Sequence, residues 1–231
     1  MPTVVSLLFS LPREIRNDIY QRVLFVSHPL YLFQEETGPS DKVGLFAPER
    51  PPARRWLALL YPNKQLHDEA SAVLYGLSHF ALVDATAGKN HANLLSSFLG
   101  RIGSVNAGCL SHLCINFPAA VGNSEEEDVT ADQQAGEEDA FLGELRLLRE
   151  KCTSLVTLEM MVYGRHAKGV TVASHDPDNS QLVRGVLSRM DAHLKAIPSL
   201  RRVLVRLYSG PLAPDVVEWM HGFGWVVSVG R

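Results

Sequence analysis

Apolar residues recur along the second half of the chain at positions that follow one repeated pattern. The pattern is Leu-x-x-Φ-x-Φ, in which Φ is an apolar residue, and alternating apolar positions over so short a run are typical of a β-strand. Three consecutive copies start 45 residues apart. The copies comprise Leu77, Phe80 and Leu82; Leu110, Leu113 and Ile115; Leu155, Leu158 and Met160; Leu200, Val203 and Val205; and a truncated last one, Phe223 and Val226.

A helical segment precedes each of the later copies. Apolar residues at helical spacing place these segments at residues 93–102, 140–151, 181–197 and 214–223. A helix and a strand that alternate in a repeat are typical of a solenoid with a parallel sheet. One such unit cannot bury its apolar face alone, whereas stacked units share one core. The sequence therefore predicts an α/β fold with a parallel sheet.

The N-terminal part of the chain begins with an amphipathic helix. Pro12 suits the first helical turn because its missing N–H costs nothing there. Glu14 complements the positive end of the helix dipole. Apolar side chains then recur at helical spacing at Ile15, Ile19, Tyr20 and Val23.

The next segment is predicted to hold a strand, a loop and a second helix. The strand covers residues 30–33, and the stretch 35–55, which is rich in Gly and Pro, is predicted to be a loop. The helix covers residues 64–75, with Asn63 as its N-cap and Gly76 just after its end.

Two stretches interrupt the repeats. Residues 122–138 contain an acidic run from Glu125 to Asp128 and almost no apolar residues, so they are predicted to be a disordered insertion. Residues 163–179 are rich in Gly, His and Asp and are predicted to form a long loop. Both stretches follow predicted strands, so we expect them at the same edge of the sheet.

Composition and charge narrow the classes of protein to consider. The chain has 231 residues, of which 46% are apolar and 20% charged, so it can bury a sizeable core. Its formal net charge of −3 does not favour nucleic acid or an anionic membrane as a partner. The three cysteines cannot form a disulfide framework, and no run of 18 apolar residues occurs. We therefore expect a cytoplasmic or nuclear protein with no nucleic-acid or membrane partner.

Few residues follow a pattern known for metal binding or catalysis. Cys109, His112 and Cys114 lie close together in the sequence, but two ligands on one strand face do not make a structural zinc site, which takes four. A Cys-x-x-Cys pair, a Gly-x-Ser-x-Gly nucleophile elbow and a phosphate-binding Gly-rich loop are all missing. The sequence therefore predicts no catalytic residue, no metal site and no cofactor.

The positions between the apolar residues of each strand form the remaining candidate surface. They should face away from the core and lie side by side in a parallel sheet, which is the usual binding face of such repeats. The alternative is an ordinary solvated strand face. The predicted strand panel consists of His112, Cys114, Thr157, Glu159, Arg202, Leu204 and Arg206.

Residues 7–85 resemble fungal F-box-like proteins in two segments. The first segment carries Leu7, Leu8, Leu11, Pro12, Glu14, Ile15, Arg16, Ile19 and Tyr20. The second carries Leu59, Leu60, Asn63, Lys64, Gln65, Leu66, His67, Glu69 and Ala70, followed by Val73, Leu74, Tyr75, Gly76 and Phe80. Both segments are also similar to the fungal domain named for two Glu-x-Arg motifs, although the second of these motifs is absent here.

The resemblance implies both a fold and a partner. It implies an F-box-like helical cap over residues 1–85, continuous with leucine-rich-repeat-like helix–strand units over residues 86–231. It also implies docking onto the Skp-type adaptor of a cullin-RING ubiquitin ligase, while the repeats hold an unknown substrate. The residues implied to contact the adaptor are Leu11, Pro12, Glu14, Ile15, Ile19 and Tyr20.

Three functions remain open at this point. A ligase substrate receptor, which is not an enzyme, predicts that Pro12 and Ile15 are partly exposed in the free chain. A repeat-fold scaffold or binding protein with no ligase link predicts that Ile15, Ile19 and Val23 are buried. An enzyme on an unfamiliar scaffold would need a pocket with convergent polar residues near the 163–179 loop. Its candidate residues are His166, His175 and Asp176.

Overall fold

The computed structural model describes residues 4–35, 42–46, 56–83, 91–118, 131–163, 169–171 and 180–230. Within these ranges the chain forms seven α-helices, a short 3-10 helix at Leu57–Leu60 and seven strands. None of the helices in the described ranges is long and apolar enough to cross a membrane. In chain order the elements are α1 (Val4–Phe9), α2 (Arg13–Leu24), β1 (Leu30–Glu35), β2 (Lys42–Phe46), α3 (Lys64–Leu77), β3 (His79–Leu82), α4 (His91–Cys109), β4 (His112–Asn116), α5 (Ala131–Lys151), β5 (Thr157–Val162), α6 (Ser180–Lys195), β6 (Arg202–Leu207), α7 (Pro214–Phe223) and β7 (Val226–Val229).

The strands form one sheet in the order β2-β1-β3-β4-β5-β6-β7. The edge strand β2 is antiparallel to β1, and the other six strands are parallel to one another. Each step between neighbouring parallel strands from β1 to β7 runs in one direction and passes through a helix. Because such crossovers are right-handed, the helices lie on one face of the sheet. We call the opposite side the open face.

The repeated apolar positions align across the sheet. Phe80 pairs with Leu113, Leu113 with Leu158, and Leu158 with Val203 in the strand register. Leu113 and Leu158 are fully buried in the main core, which they share with the helices. The α/β fold and the parallel sheet predicted from the repeat spacing are therefore confirmed.

Two helix boundaries follow local sequence signals. The Asn63 side chain accepts a hydrogen bond from the Leu66 backbone N–H at 2.8 Å, which confirms the predicted N-cap of α3. Gly224 ends α7 in the left-handed conformation, with φ of 88°, which an L side chain rarely adopts. The prediction for Gly76 was wrong, because α3 continues to Leu77.

Two predicted irregular segments contain regular structure. The predicted loop 35–55 includes β2, whose backbone pairs with that of β1. The predicted disordered insertion 122–138 overlaps the start of α5, because residues 131–138 are rich in helix-forming Ala, Gln and Glu. The Arg189 side chain on α6 also donates to Glu138 at 2.8 Å. The remaining parts of the predicted loop, insertion and 163–179 loop fall largely outside the described residues.

Candidate functional site

Helix α2 is fixed to α3 through a buried polar stripe. Arg16, Tyr20 and Leu24 recur every four residues and are buried. The Arg16 guanidinium donates two hydrogen bonds to the Glu69 carboxylate, at 2.7 and 2.8 Å. The Tyr20 hydroxyl donates to the same carboxylate at 2.9 Å. The two-pronged Arg–carboxylate contact sets the rotation of α2 about its own axis.

The rotation leaves the neighbouring apolar stripe of α2 facing outward. This α2 stripe consists of Ile15, Ile19 and Val23; Ile15 is 49% exposed, Val23 36% exposed and Ile19 half-buried. Phe25, just beyond the helix, is also exposed. The receptor hypothesis predicted an exposed Ile15, as observed, whereas the burial of Ile15 and Val23 expected for a scaffold was wrong.

The other residues implied to contact an adaptor divide into two groups. Pro12 and Glu14 are exposed and Leu11 is half-buried, and all three precede the α2 stripe closely in the sequence. Tyr20 is fully buried and bonded to Glu69. Tyr20 is thus inaccessible in the free chain, where its hydroxyl holds α2 against α3, and the contact implied for it with an adaptor stays a prediction.

We expect the Glu69 contacts to make stability depend on pH. The hydrogen bond from Arg16, together with those from Gln65 and Tyr20, outweighs burial and lowers the pKa of Glu69 to about 2. A lowered folded-state pKa contributes stability above the unfolded value of about 4.3, and this is lost as the pH falls toward the folded value. In urea unfolding, the difference in the free energy of unfolding between wild type and Glu69→Gln should be largest above about pH 5. It should shrink as the pH falls and be almost gone at about pH 2.

A surface variant provides the control for that experiment. Asp18 pairs with Arg22 on the exposed side of α2, and such pairs contribute about 0–1 kcal/mol. Asp18→Asn should therefore stay close to wild type across the same pH range. A pH-independent gap for Glu69→Gln would show that the charge of Glu69 does not stabilise the fold.

The strand panel predicted from the repeats does lie on the open face. The register places His79, His112, Thr157 and Arg202 in one row across β3 to β6. The next row contains Ala81, Cys114, Glu159 and Leu204, and the third row places Met161 beside Arg206.

Two members of the panel are more buried than the pattern predicted. Cys114 is 1% and Glu159 3% exposed, whereas both were expected to face solvent. The open face has a small apolar cluster of its own, which includes Cys114, whereas the side chains of His112 and Arg206 lie against Glu159. The cluster consists of Ala81, Cys114 and Met161, flanked by Tyr31, Val83 and Tyr163. Of the other panel members, Arg202 is exposed and His112, Thr157, Leu204 and Arg206 are half-buried.

A group of polar side chains lies on the open face beside this apolar cluster. The imidazole rings of His79 and His112 stack with their centroids 3.7 Å apart. Nε2 of His112 lies 3.7 Å from Oε2 of Glu159, and the Arg206 guanidinium donates to Oε1 of Glu159. The donor atoms of His79, Cys114 and Glu159 all lie within 4.8 Å of one another.

Burial and neighbouring charges set the protonation of this group. Burial, together with the nearby His112, lowers the pKa of His79 to about 4. Burial raises the pKa of the Cys114 thiol. Burial would also raise the pKa of Glu159, but His112 and Arg206 outweigh it and lower that pKa. At neutral pH a neutral imidazole and an ionised carboxylate thus meet a protonated, inaccessible thiol, which is unsuited to nucleophilic catalysis.

His79 is the residue that the sequence analysis missed. The strand panel was chosen from the positions between the apolar residues of each copy. In the copy that begins at Leu77, these positions are His79 and Ala81. They occupy the same positions as His112 and Cys114 in the next copy, and the register pairs them. The signal was therefore present in the repeat.

The region expected for an enzyme site is only partly described. His166, His175 and Asp176 lie outside the described residues. Beside them in sequence, α6 and α7 border an open groove of about 340 Å³ lined by Ser180, Gln181, Arg184 and Trp219. The Arg184 guanidinium lies over the Trp219 ring at 6.0 Å, as is common on protein surfaces.

Known proteins provide no parallel for either surface, because no protein-family model, no curated protein and no solved structure matches the chain. Its function must therefore be inferred from the α2 stripe and the open face themselves.

Proposed function

We propose that this chain is a non-enzymatic protein-interaction module that docks a partner through the α2 stripe. The exposure of Ile15 and Val23 on a helix that is otherwise firmly anchored carries the proposal. Burying each such side chain against a partner is worth about 1.5–3 kcal/mol. Because the Arg16–Glu69 contact already fixes α2, little ordering cost opposes binding.

The F-box-like resemblance of residues 7–85 suggests the partner. We propose that the α2 stripe binds the Skp-type adaptor of a cullin-RING ubiquitin ligase, and that the chain acts as a substrate receptor. In this proposal the N-terminal helices also cap leucine-rich-repeat-like units, since repeat arrays need a cover at their ends. The accessible part of the strand panel, Arg202 with Leu204 and Thr157, would then contact the substrate.

A titration of the purified chain with a purified Skp-type adaptor tests this proposal. Ile15→Asp places a charge in the middle of the proposed interface, and the loss of one buried apolar side chain together with charge burial should weaken binding at least ~100-fold. Since Ile15 is half exposed in the free chain, the variant should unfold at the same urea concentration as wild type.

Val105→Asp is the matched control. Val105 is 77% exposed on α4, away from α2, so this variant should bind like wild type. Equal affinity of Ile15→Asp and wild type would exclude the α2 stripe as the docking surface. Absence of binding by a folded wild-type chain would instead leave a binding module whose partner is not this adaptor.

A further inference from the structure

We propose that His79, Cys114 and Glu159 form a binding site for a zinc ion on the open face. The three residues lie on the adjacent strands β3, β4 and β5, and the site would connect these strands on the face opposite the described helices. This inference is independent of the α2 stripe, because the three residues lie on the strands of the open face and none of them belongs to α2.

The spacing of the three donor atoms suits one ion. The imidazole nitrogen, the sulfur and the carboxylate oxygen all lie within 4.8 Å of one another. Tetrahedral zinc with bonds of about 2.0–2.3 Å separates its ligand atoms by roughly 3.3–3.6 Å. Small side-chain rotations therefore bring the three atoms into a coordination shell. The mixture of nitrogen, sulfur and oxygen donors is one that zinc accepts.

Buried polar atoms without hydrogen-bond partners point to a ligand at this position. Among the described residues, Nε2 of His79 and Oε2 of Glu159 are buried and have no partner for a hydrogen bond. Nε2 of His112, which lies 3.7 Å from that oxygen, has none either. Leaving such atoms unsatisfied costs about 1–3 kcal/mol each, and more when the group is charged. A bound cation would satisfy Nε2 of His79 and Oε2 of Glu159 at once.

Arg206 supports the carboxylate without competing for the proposed ion. It donates to Oε1 of Glu159, which leaves Oε2 without a hydrogen-bond partner, 3.7 Å from Nε2 of His112 and available to an ion. Hydrogen bonds to the second oxygen of a ligating carboxylate are a common way to orient it. On binding the ion, Cys114 would release its thiol proton to solvent, and the resulting thiolate and the carboxylate of Glu159 would balance the two charges of the ion.

The stacked histidines supply one ligand. A metal ion binds in the plane of an imidazole ring, and the planes of His79 and His112 are within 11° of parallel. One ion can therefore use only one ring of the stack in its present arrangement, and the donor distances select His79. His112, whose side chain is 30% exposed, holds the stack and lies at the entrance to the site. The fourth position is left for water, as in zinc sites with three protein ligands.

Cobalt(II) substitution tests the site directly. We expect the 231-residue chain, freed of metal with a chelator, to bind one cobalt ion. The ion should show the intense near-ultraviolet charge-transfer band of a cobalt–thiolate bond. Zinc should displace the cobalt and raise the thermal midpoint of unfolding, since a ligand that binds only the folded state stabilises it.

Variants of the three cysteines identify the thiol. Cys109→Ser/Cys152→Ala leaves Cys114 as the only cysteine, and this variant should keep the band. Cys114→Ser and His79→Ala should weaken cobalt binding at least ~10-fold, with circular dichroism as the check that they fold. A folded wild-type chain without a thiolate band would overturn the proposal, and so would a band that is lost in Cys109→Ser/Cys152→Ala. Neither result depends on whether the α2 stripe binds an adaptor.

Discussion

Leu158→Ala should lower the free energy of unfolding by about 2–5 kcal/mol, which is the usual range for a buried leucine replaced by alanine. Leu158 is fully buried at the centre of β5. It occupies the register position between Leu113 and Val203, so its side chain belongs to the core that successive helix–strand units share. The cavity left by the variant would be bordered by neighbouring units and could not close by moving one of them. Urea unfolding measures the change.

Val156 provides the control for this prediction. It lies just before β5 and is 45% exposed, so Val156→Ala should change stability by no more than about 0.5 kcal/mol. A loss below about 1 kcal/mol for Leu158→Ala would mean that the aligned leucines do not form one close-packed core.

Arg206→Met should destabilise the chain by about 1–3 kcal/mol when measured in the presence of a chelator, because it leaves the buried carboxylate of Glu159 without its main partner. Methionine preserves most of the apolar stem of arginine, so the change removes the charge and the hydrogen bond more than the packing. Of its partners among the described residues, Glu159 then keeps the weaker contact with His112, at 3.7 Å.

Arg202→Met tests whether the effect is specific to that contact. Arg202 lies on the same strand and the same face but is exposed, so its loss should be nearly neutral. Equal effects of the two variants would indicate a general dependence on positive charge in β6 and would contradict a specific role for the Arg206–Glu159 contact.

The repeated strands could be predicted from the sequence because their signal is local. Each copy needs only an alternation of apolar residues over six positions, and the copies at Leu110, Leu155 and Leu200 reinforce one another by their equal spacing. The strand β2 lacks such a repeat and forms through backbone pairing with β1, which composition does not reveal.

The orientation of α2 could not be predicted in the same way. The apolar spacing of Ile15, Ile19 and Val23 suggests that this stripe should be buried, and the neighbouring stripe contains Arg16. The structure reverses this, because Glu69, 53 residues away in the sequence, pairs with Arg16 and makes its burial favourable. A contact between distant residues thus decides which face of the helix remains available to a partner.

The polar group on the open face also depends on contacts between residues that are far apart in the sequence. His79, Cys114 and Glu159 come from three strands, and their proximity follows from the register of the sheet. The sequence could place each residue on the correct face. It could not show that Cys114 and Glu159 would be buried on that face.

Amide hydrogen exchange with and without a saturating Skp-type adaptor tests the proposed docking surface most directly. We expect slower exchange of the backbone amides of α2 in the presence of the adaptor, with no change in β4 and β5. An adaptor that leaves exchange in α2 unchanged, or protects the strands of the open face instead, would contradict the proposal that this chain docks its partner through the α2 stripe.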